Sequence, residues 1–322
     1  MLRQALPALP ATTGTLLLMV IMGTMWGLQF SMLKRAGQGG YSDLTLITFA
    51  LVLLSVAFLA LSAARGEIIR PERRLLAFFL VTAILGYIVP LGATLYAATV
   101  LDAGILTMIA CLSPVIAVAA ALVLRVESVS FRRSVAVGLG CISVGLITLP
   151  EFEMRGFGHL PWIAVAIIVP LCYGFESIYV SRFWPVGMTP LQAVTGETLV
   201  AALIVFPVFL LHGDPGLRTI KWSGAEFALL VFVAAGIIEG IAYFRIIQSS
   251  GAVFVNFGSF VGLVSGVCWG MVLFSETHGP NVWIAVAILV AALALATQSR
   301  TAGGSSRNPA GSGDSDDSPG FR

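Results

Sequence analysis

Apolar residues fill ten stretches of the chain, at about 13–34, 43–64, 75–99, 102–124, 132–150, 161–182, 189–211, 224–247, 251–273 and 279–298. Charged and turn-forming residues collect in the short segments between them. A helix needs roughly 17–25 predominantly apolar residues to cross a bilayer, and each stretch supplies about that many. The pattern predicts an all-α integral membrane protein with ten transmembrane helices. No obvious small-residue cleavage site follows the first stretch, Gly14–Leu33, so it reads as a first membrane helix rather than a cleaved signal peptide. Thr189 followed by Pro190 marks a helix start. Pro90, Pro114, Pro170 and Pro207 fall inside stretches and are expected to kink them.

The stretches repeat. Gly27 and Gly174, Arg35 and Arg182, Tyr96 and Tyr243, and Gly104 and Gly251 are each separated by 147 residues. Glu127 and Glu276 are 149 apart, which a two-residue insertion explains. This is the mark of an internal duplication. Five spans is an odd number, so the second copy runs upside down relative to the first. The expected architecture is two inverted five-helix repeats with a ligand site near the midplane between them. The chain divides into an N-terminal cytoplasmic segment (1–12), a first repeat (13–150), a second repeat (161–298) and a disordered cytoplasmic tail (299–322) rich in Gly, Ser and Asp.

Within the second repeat, Gly258, Gly262, Gly266 and Gly270 recur every fourth residue. At 3.6 residues per turn they draw a smooth groove along one helix face. In water each such glycine would cost roughly 1 kcal/mol against alanine. In lipid, small residues at this spacing let a neighbouring backbone approach closely. Asn256, a strong polar group, lies just before the groove. Leu263 is expected on a different face, where truncation should matter less.

Composition agrees with the pattern: 58% of residues are hydrophobic and 11% charged, where a soluble domain carries about 25% charged residues. No basic run suggests nucleic acid, and the net charge of +2 points to no partner. Thirteen of the eighteen basic residues fall on one side if the N-terminus lies inside. That bias places both termini in the cytoplasm of a cell with a multi-pass inner-membrane protein. Cys111, Cys141, Cys172 and Cys268 lie in apolar runs without metal-ligand spacing and read as packing residues. Neither lysine (Lys34, Lys221) is followed by Ser or Thr, so there is no phosphate-binding loop. No HExxH helix and no G-x-S-x-G elbow is present. The chain is therefore read as not an enzyme, with no cofactor and no metal.

Three carboxylates lie well inside predicted spans, away from their ends: Glu176, Glu197 and Glu239. At about 1.5 Å per residue each sits some 9–12 Å from the cytoplasmic end of its helix. An acid at that depth costs at least about 2.5–3.5 kcal/mol on insertion scales. It needs a water-filled cavity, a proton or a partner, and Arg182 and Arg245 are the nearby cations. Tyr173 and Glu176 share a helix face, as do Trp26 and Gln29, which match them at the 147-residue offset. Glu239 and Tyr243 share another face, and Tyr96 matches Tyr243. The substrate-binding or coupling set is therefore Glu239, Glu176, Tyr243, Tyr173, Trp26, Gln29, Tyr96 and Asn256. Glu127 and Glu276 close their helices and are expected to pair with nearby arginines.

MWGLQFSMLKR, AATVLDAGILTMIACLSPVIAVAAALVLRVES and the Gly251–Glu276 stretch together resemble the drug/metabolite transporter superfamily, specifically its ten-helix EamA-type members. The resemblance covers roughly residues 13–298. It implies two inverted five-helix repeats around a central cavity, lined by the first, third and fourth helices of each. It also implies export of small metabolites or amino acids. Span seven would then be peripheral, leaving Glu197 between a structural and a functional role. The second fourth-helix copy departs from the pattern, with glycines and no proline matching Pro114. The resulting expectation is a proton-coupled secondary exporter of amino acids or amphipathic amines, working by alternating access in a lipid bilayer. A passive facilitator or channel and an intramembrane enzyme acting on lipids are the alternatives. The solute, the coupling ion and the oligomeric state stay open.

Overall fold

A computed structural model describes residues 13–69, 72–101, 103–125, 130–155, 160–213, 223–277 and 279–298. Side chains at 103–105, 108, 147–155 and 296–298 are outside that description. The two terminal segments and Glu127 lie outside the described residues. All regular structure among the described residues is helical. In order, the helices are α1 Thr13–Gly37, α2 Asp43–Ala64, α3 Arg73–Thr82, α4 Val89–Ala98, α5 Ala103–Ala110, α6 Ser113–Leu124, α7 Phe131–Arg155, α8 Leu160–Phe183, α9 Pro190–His212, α10 Gly224–Ser250, α11 Ala252–Asn256, α12 Gly258–Phe274 and α13 Pro280–Gln298. A π-helical turn, Ala83–Ile88, joins α3 to α4. Among the described residues, seven helical segments are long and apolar enough to cross a membrane.

Local chemistry explains the breaks. Pro90 has no N–H to return to the carbonyl four residues back, Gly86, and its ring crowds that carbonyl. The chain relieves this by widening into the π turn just before the proline. Pro114 acts the same way on Ala110, and the fourth stretch, expected as one helix, splits there into α5 and α6. The ninth stretch also splits, at Phe257, although it has no proline. Helices α8 and α9 run on through Pro170 and Pro207. The start of α9 is a full capping box, in which Thr189 and Gln192 bond each other's backbone.

The outer surface is apolar. Leu17, Val56, Val123, Leu203, Leu211 and Val272 are each exposed. Meanwhile Thr45, Ser55, Thr82, Ser143, Thr195 and Thr198 are buried. Most of these hydroxyls donate to a carbonyl three or four residues back on their own helix. Such a distribution suits a solvent of lipid, where backbone and side-chain polar groups must be satisfied internally.

The glycine groove is occupied. A β-carbon on Gly262 would sit 2.5 Å from the Trp26 ring, and one on Gly258 would overlap the Met22 methyl. From the other side, a β-carbon on Gly27 would sit 2.5 Å from the Gly262 carbonyl oxygen and 2.8 Å from the Gly266 nitrogen. Helices α1 and α12 thus meet backbone to backbone. Gly266 faces Thr107 of α5, and Gly270 receives the Glu276 carboxylate. Leu263, expected to matter less, is fully buried. Gly174 of α8, 147 residues after Gly27, is also closely packed: a β-carbon there would sit 2.6 Å from Ile116 of α6. Helix α1 also packs on α10, and α8 on α4.

Candidate functional site

Helices α1, α4, α6, α8, α9, α10, α11 and α12, with the π turn, surround one cavity. Its empty space is about 890 Å³, counted out through its open mouth. Seven of the eight residues expected from sequence line it: Trp26, Gln29, Tyr173, Glu176, Glu239, Tyr243 and Asn256. Tyr96 does not. It is half exposed and away from the cavity, with a relative exposure of 52%. The reason is register. The cavity-facing positions of α4 are Leu91 and Thr94, which stand 149 residues before Gly240 and Tyr243. An offset of 147 therefore lands two residues out of step, about 200° around the helix.

Glu197 also lines the cavity and is 2% exposed, so the helix expected at the periphery contributes an acid to the centre. Two glycines make this possible. Gly196 lets α9 close on the Phe79 ring, and Gly86 of the π turn leaves room for the Glu197 carboxylate. A β-carbon on Gly86 would overlap Glu197 Oε1 and stand 3.3 Å from the Glu176 carboxyl carbon. Tyr87 beside it faces the same cavity. Neither residue was singled out by sequence; the signal present was Pro90, four residues after Gly86.

The polar partners cross between helices. Tyr243 of α10 donates from its hydroxyl to Glu176 Oε2 of α8 at 3.0 Å. Helical spacing had instead grouped Tyr243 with Glu239 on its own helix. Gln29 of α1 lies beside Glu239, but its Nε2 closes no hydrogen bond of good geometry. Glu197 Oε1 likewise has no hydrogen-bond partner. Asn256 ends α11 and donates through Nδ2 to Ser177 Oγ at 2.7 Å and to the Ala252 carbonyl at 2.8 Å. It braces the break in the ninth stretch against α8. At the matching break of the fourth stretch, the Cys111 thiol donates to the Ser259 carbonyl at 3.0 Å. The two interrupted helices meet beside the cavity.

Around the acids stand aromatic rings. Trp26 packs edge-on against Phe30, with centroids 5.1 Å apart, and against Tyr173, 5.6 Å apart. No lysine, arginine or histidine lines the cavity among the described residues. Neither Arg182 nor Arg245 forms an ion pair with Glu176 or Glu239. Away from the cavity, Glu276 pairs with Lys34 at 3.6 Å, and Lys34 lies over the Phe274 ring. Tyr41 donates to Glu226, joining the turn before α2 to the start of α10. Cys111 and Cys172 are buried, as packing residues should be, but Cys268 is exposed. Glu176 and Glu197 are buried and Glu239 is partly buried.

Comparison with known proteins identifies the scaffold. Residues 13–149 match the EamA-like transporter family. That family lies within the drug/metabolite transporter superfamily, which bears out the resemblance over this segment. EamA is a family of transporters rather than of enzymes. No curated protein matches the chain. A solved crystal structure, titled only as that of a protein, aligns with 88% of this EamA-like chain and 97% of its own length. It does so at a TM-score of 0.71 and 14% identity, a likeness of fold alone. The family match over residues 13–149 and the seven long apolar helical segments support a multi-pass membrane protein.

Proposed function

We propose that this protein is a proton-coupled secondary transporter that exports small organic metabolites, such as amino acids or amphipathic amines, across the inner membrane. The observation that carries this reading is the cavity itself, in which Glu176, Glu197 and Glu239 are gathered without a basic partner. A carboxylate without a counter-cation in a membrane cavity calls for either a proton or a cationic group. Proton and solute then compete for one negative charge, which links their fluxes. Glu239 is assigned as the coupling acid, with Glu176 and Tyr243 holding the solute. Trp26, Gln29, Tyr173 and Asn256 complete the site.

The reciprocal packing of α1 on α10 and α12, and of α8 on α4 and α6, supports two five-helix repeats, 13–150 and 161–298, related by inversion. Arg125 and Ser275, which close α6 and α12, share the left-handed conformation and support the same relation. Alternating access then follows from rocking one repeat against the other around a fixed site. The excess of loop arginines supports both termini lying in the cytoplasm.

The test is flux of labelled amines and amino acids in proteoliposomes under an imposed pH gradient, joined to solute-induced proton release in weak buffer. Glu239→Gln should abolish proton-driven transport in a folded protein, and Glu176→Gln should chiefly weaken solute binding. Undiminished proton release from Glu239→Gln would remove that residue from the coupling role. Flux indifferent to the gradient would mark a passive facilitator, and no flux of any solute would defeat the transporter reading.

A further inference from the structure

Of the three acids, Glu197 is the one whose chemistry is least complete. It is 2% exposed, on a helix that supplies no other residue to the cavity. Its Oε1 faces Gly86 and has no hydrogen-bond partner. Leaving a buried acceptor unsatisfied is costly, so the position calls for a donor. Glu176 approaches the same point from α8. Tyr243 occupies its Oε2, and the oxygen left over, Oε1, would be 3.4 Å from a β-carbon on Gly86. Two carboxylate oxygens therefore flank one glycine, close enough for a single ammonium nitrogen to touch both.

We infer that Glu197 and Glu176 together form the recognition site for a primary ammonium group, and that the transported solute is a primary amine on an apolar or aromatic body without a carboxylate. The inference rests on the transporter reading above and narrows its substrate class. Three properties of the cavity select this chemistry. First, the two carboxylate oxygens beside Gly86 call for N–H donors. A quaternary ammonium carries the charge but no N–H, so it leaves Glu197 Oε1 unsatisfied. Second, no lysine, arginine or histidine lines the cavity among the described residues. The carboxylate of an amino acid would find no counter-cation there and would face three acids. Third, the rings of Trp26, Phe30 and Tyr173 form an apolar wall suited to the body of the solute. Gly86 sets the geometry, because any side chain at that position takes the space of the Glu197 carboxylate.

The experiment is equilibrium binding of three matched probes to the purified full-length protein in detergent: phenethylamine, its N,N,N-trimethyl derivative, and phenylalanine. Phenethylamine should bind at least tenfold more tightly than either of the others. Glu197→Gln, which keeps the shape and removes the charge, should weaken phenethylamine at least tenfold without lowering the unfolding midpoint. Gly86→Ala should weaken it as well, by displacing the carboxylate. Should Gly86→Ala fail to fold, Glu197→Gln carries the test alone. Equal binding of phenylalanine or of the trimethyl probe overturns the inference, and so does an unchanged affinity in Glu197→Gln. Absence of phenethylamine binding also overturns it, while flux of any other solute in proteoliposomes would leave the transporter reading standing.

Discussion

The contact between α1 and α12 yields a sharp prediction at Gly27. Substituting alanine there places a methyl group 2.5 Å from the Gly262 carbonyl oxygen and 2.8 Å from the Gly266 nitrogen. Both neighbours are backbone, so no rotamer change relieves the overlap and α1 must back away from α12. Overpacking typically costs about 1–3 kcal/mol, with the upper end applying where the neighbours cannot turn aside. Alanine in place of glycine returns roughly 1 kcal/mol through helix propensity. A net loss of about 2 kcal/mol is expected for Gly27→Ala. Gly92→Ala in α4 is the internal control, since nothing stands within 4 Å of a β-carbon there. It should be neutral or stabilising by up to about 1 kcal/mol, because only the propensity gain remains. Reversible unfolding in mixed micelles, titrated with denaturing detergent and followed by circular dichroism, measures both. Equal stability of the two variants would refute the claim that backbone contact at the groove holds α1 to α12.

Three further outcomes are expected. Leu263→Ala, at a fully buried position, should cost about 2–5 kcal/mol in the same unfolding assay, as large-to-small core changes do. Tyr243→Phe removes the donor to Glu176 and should cost about 1 kcal/mol of stability, with an unchanged unfolding midpoint counting against that bond. Cys268 is exposed on the outer surface of α12 while Cys111 is buried, so Cys111→Leu should overpack and cost about 1–3 kcal/mol in the unfolding assay whereas Cys268→Leu should be close to neutral, and equal losses would refute the assignment.

The sequence alone determined the class of solvent and the number of apolar stretches, because both depend on hydrophobic length and composition, which are summed along the chain. It also located the glycine groove and seven of the residues that line the cavity, because neighbours at three and four residues on one helix are set by its pitch. Contacts between helices are another matter. That Tyr243 bonds Glu176 on another helix, and that Lys34 meets Glu276, depends on how separate helices are rotated and pressed together. Tyr96 shows how fine that dependence is: a two-residue difference in repeat offset carries a side chain from the cavity to the outside. Glu197 shows the converse. Its own helix gives no reason to look inward, and it reaches the centre only because Gly86, in a π turn preceding Pro90 on another helix, leaves space for a carboxylate. A chain records its glycines and prolines locally, but the room they create belongs to whichever helix packs against them, and that partner is chosen only in three dimensions.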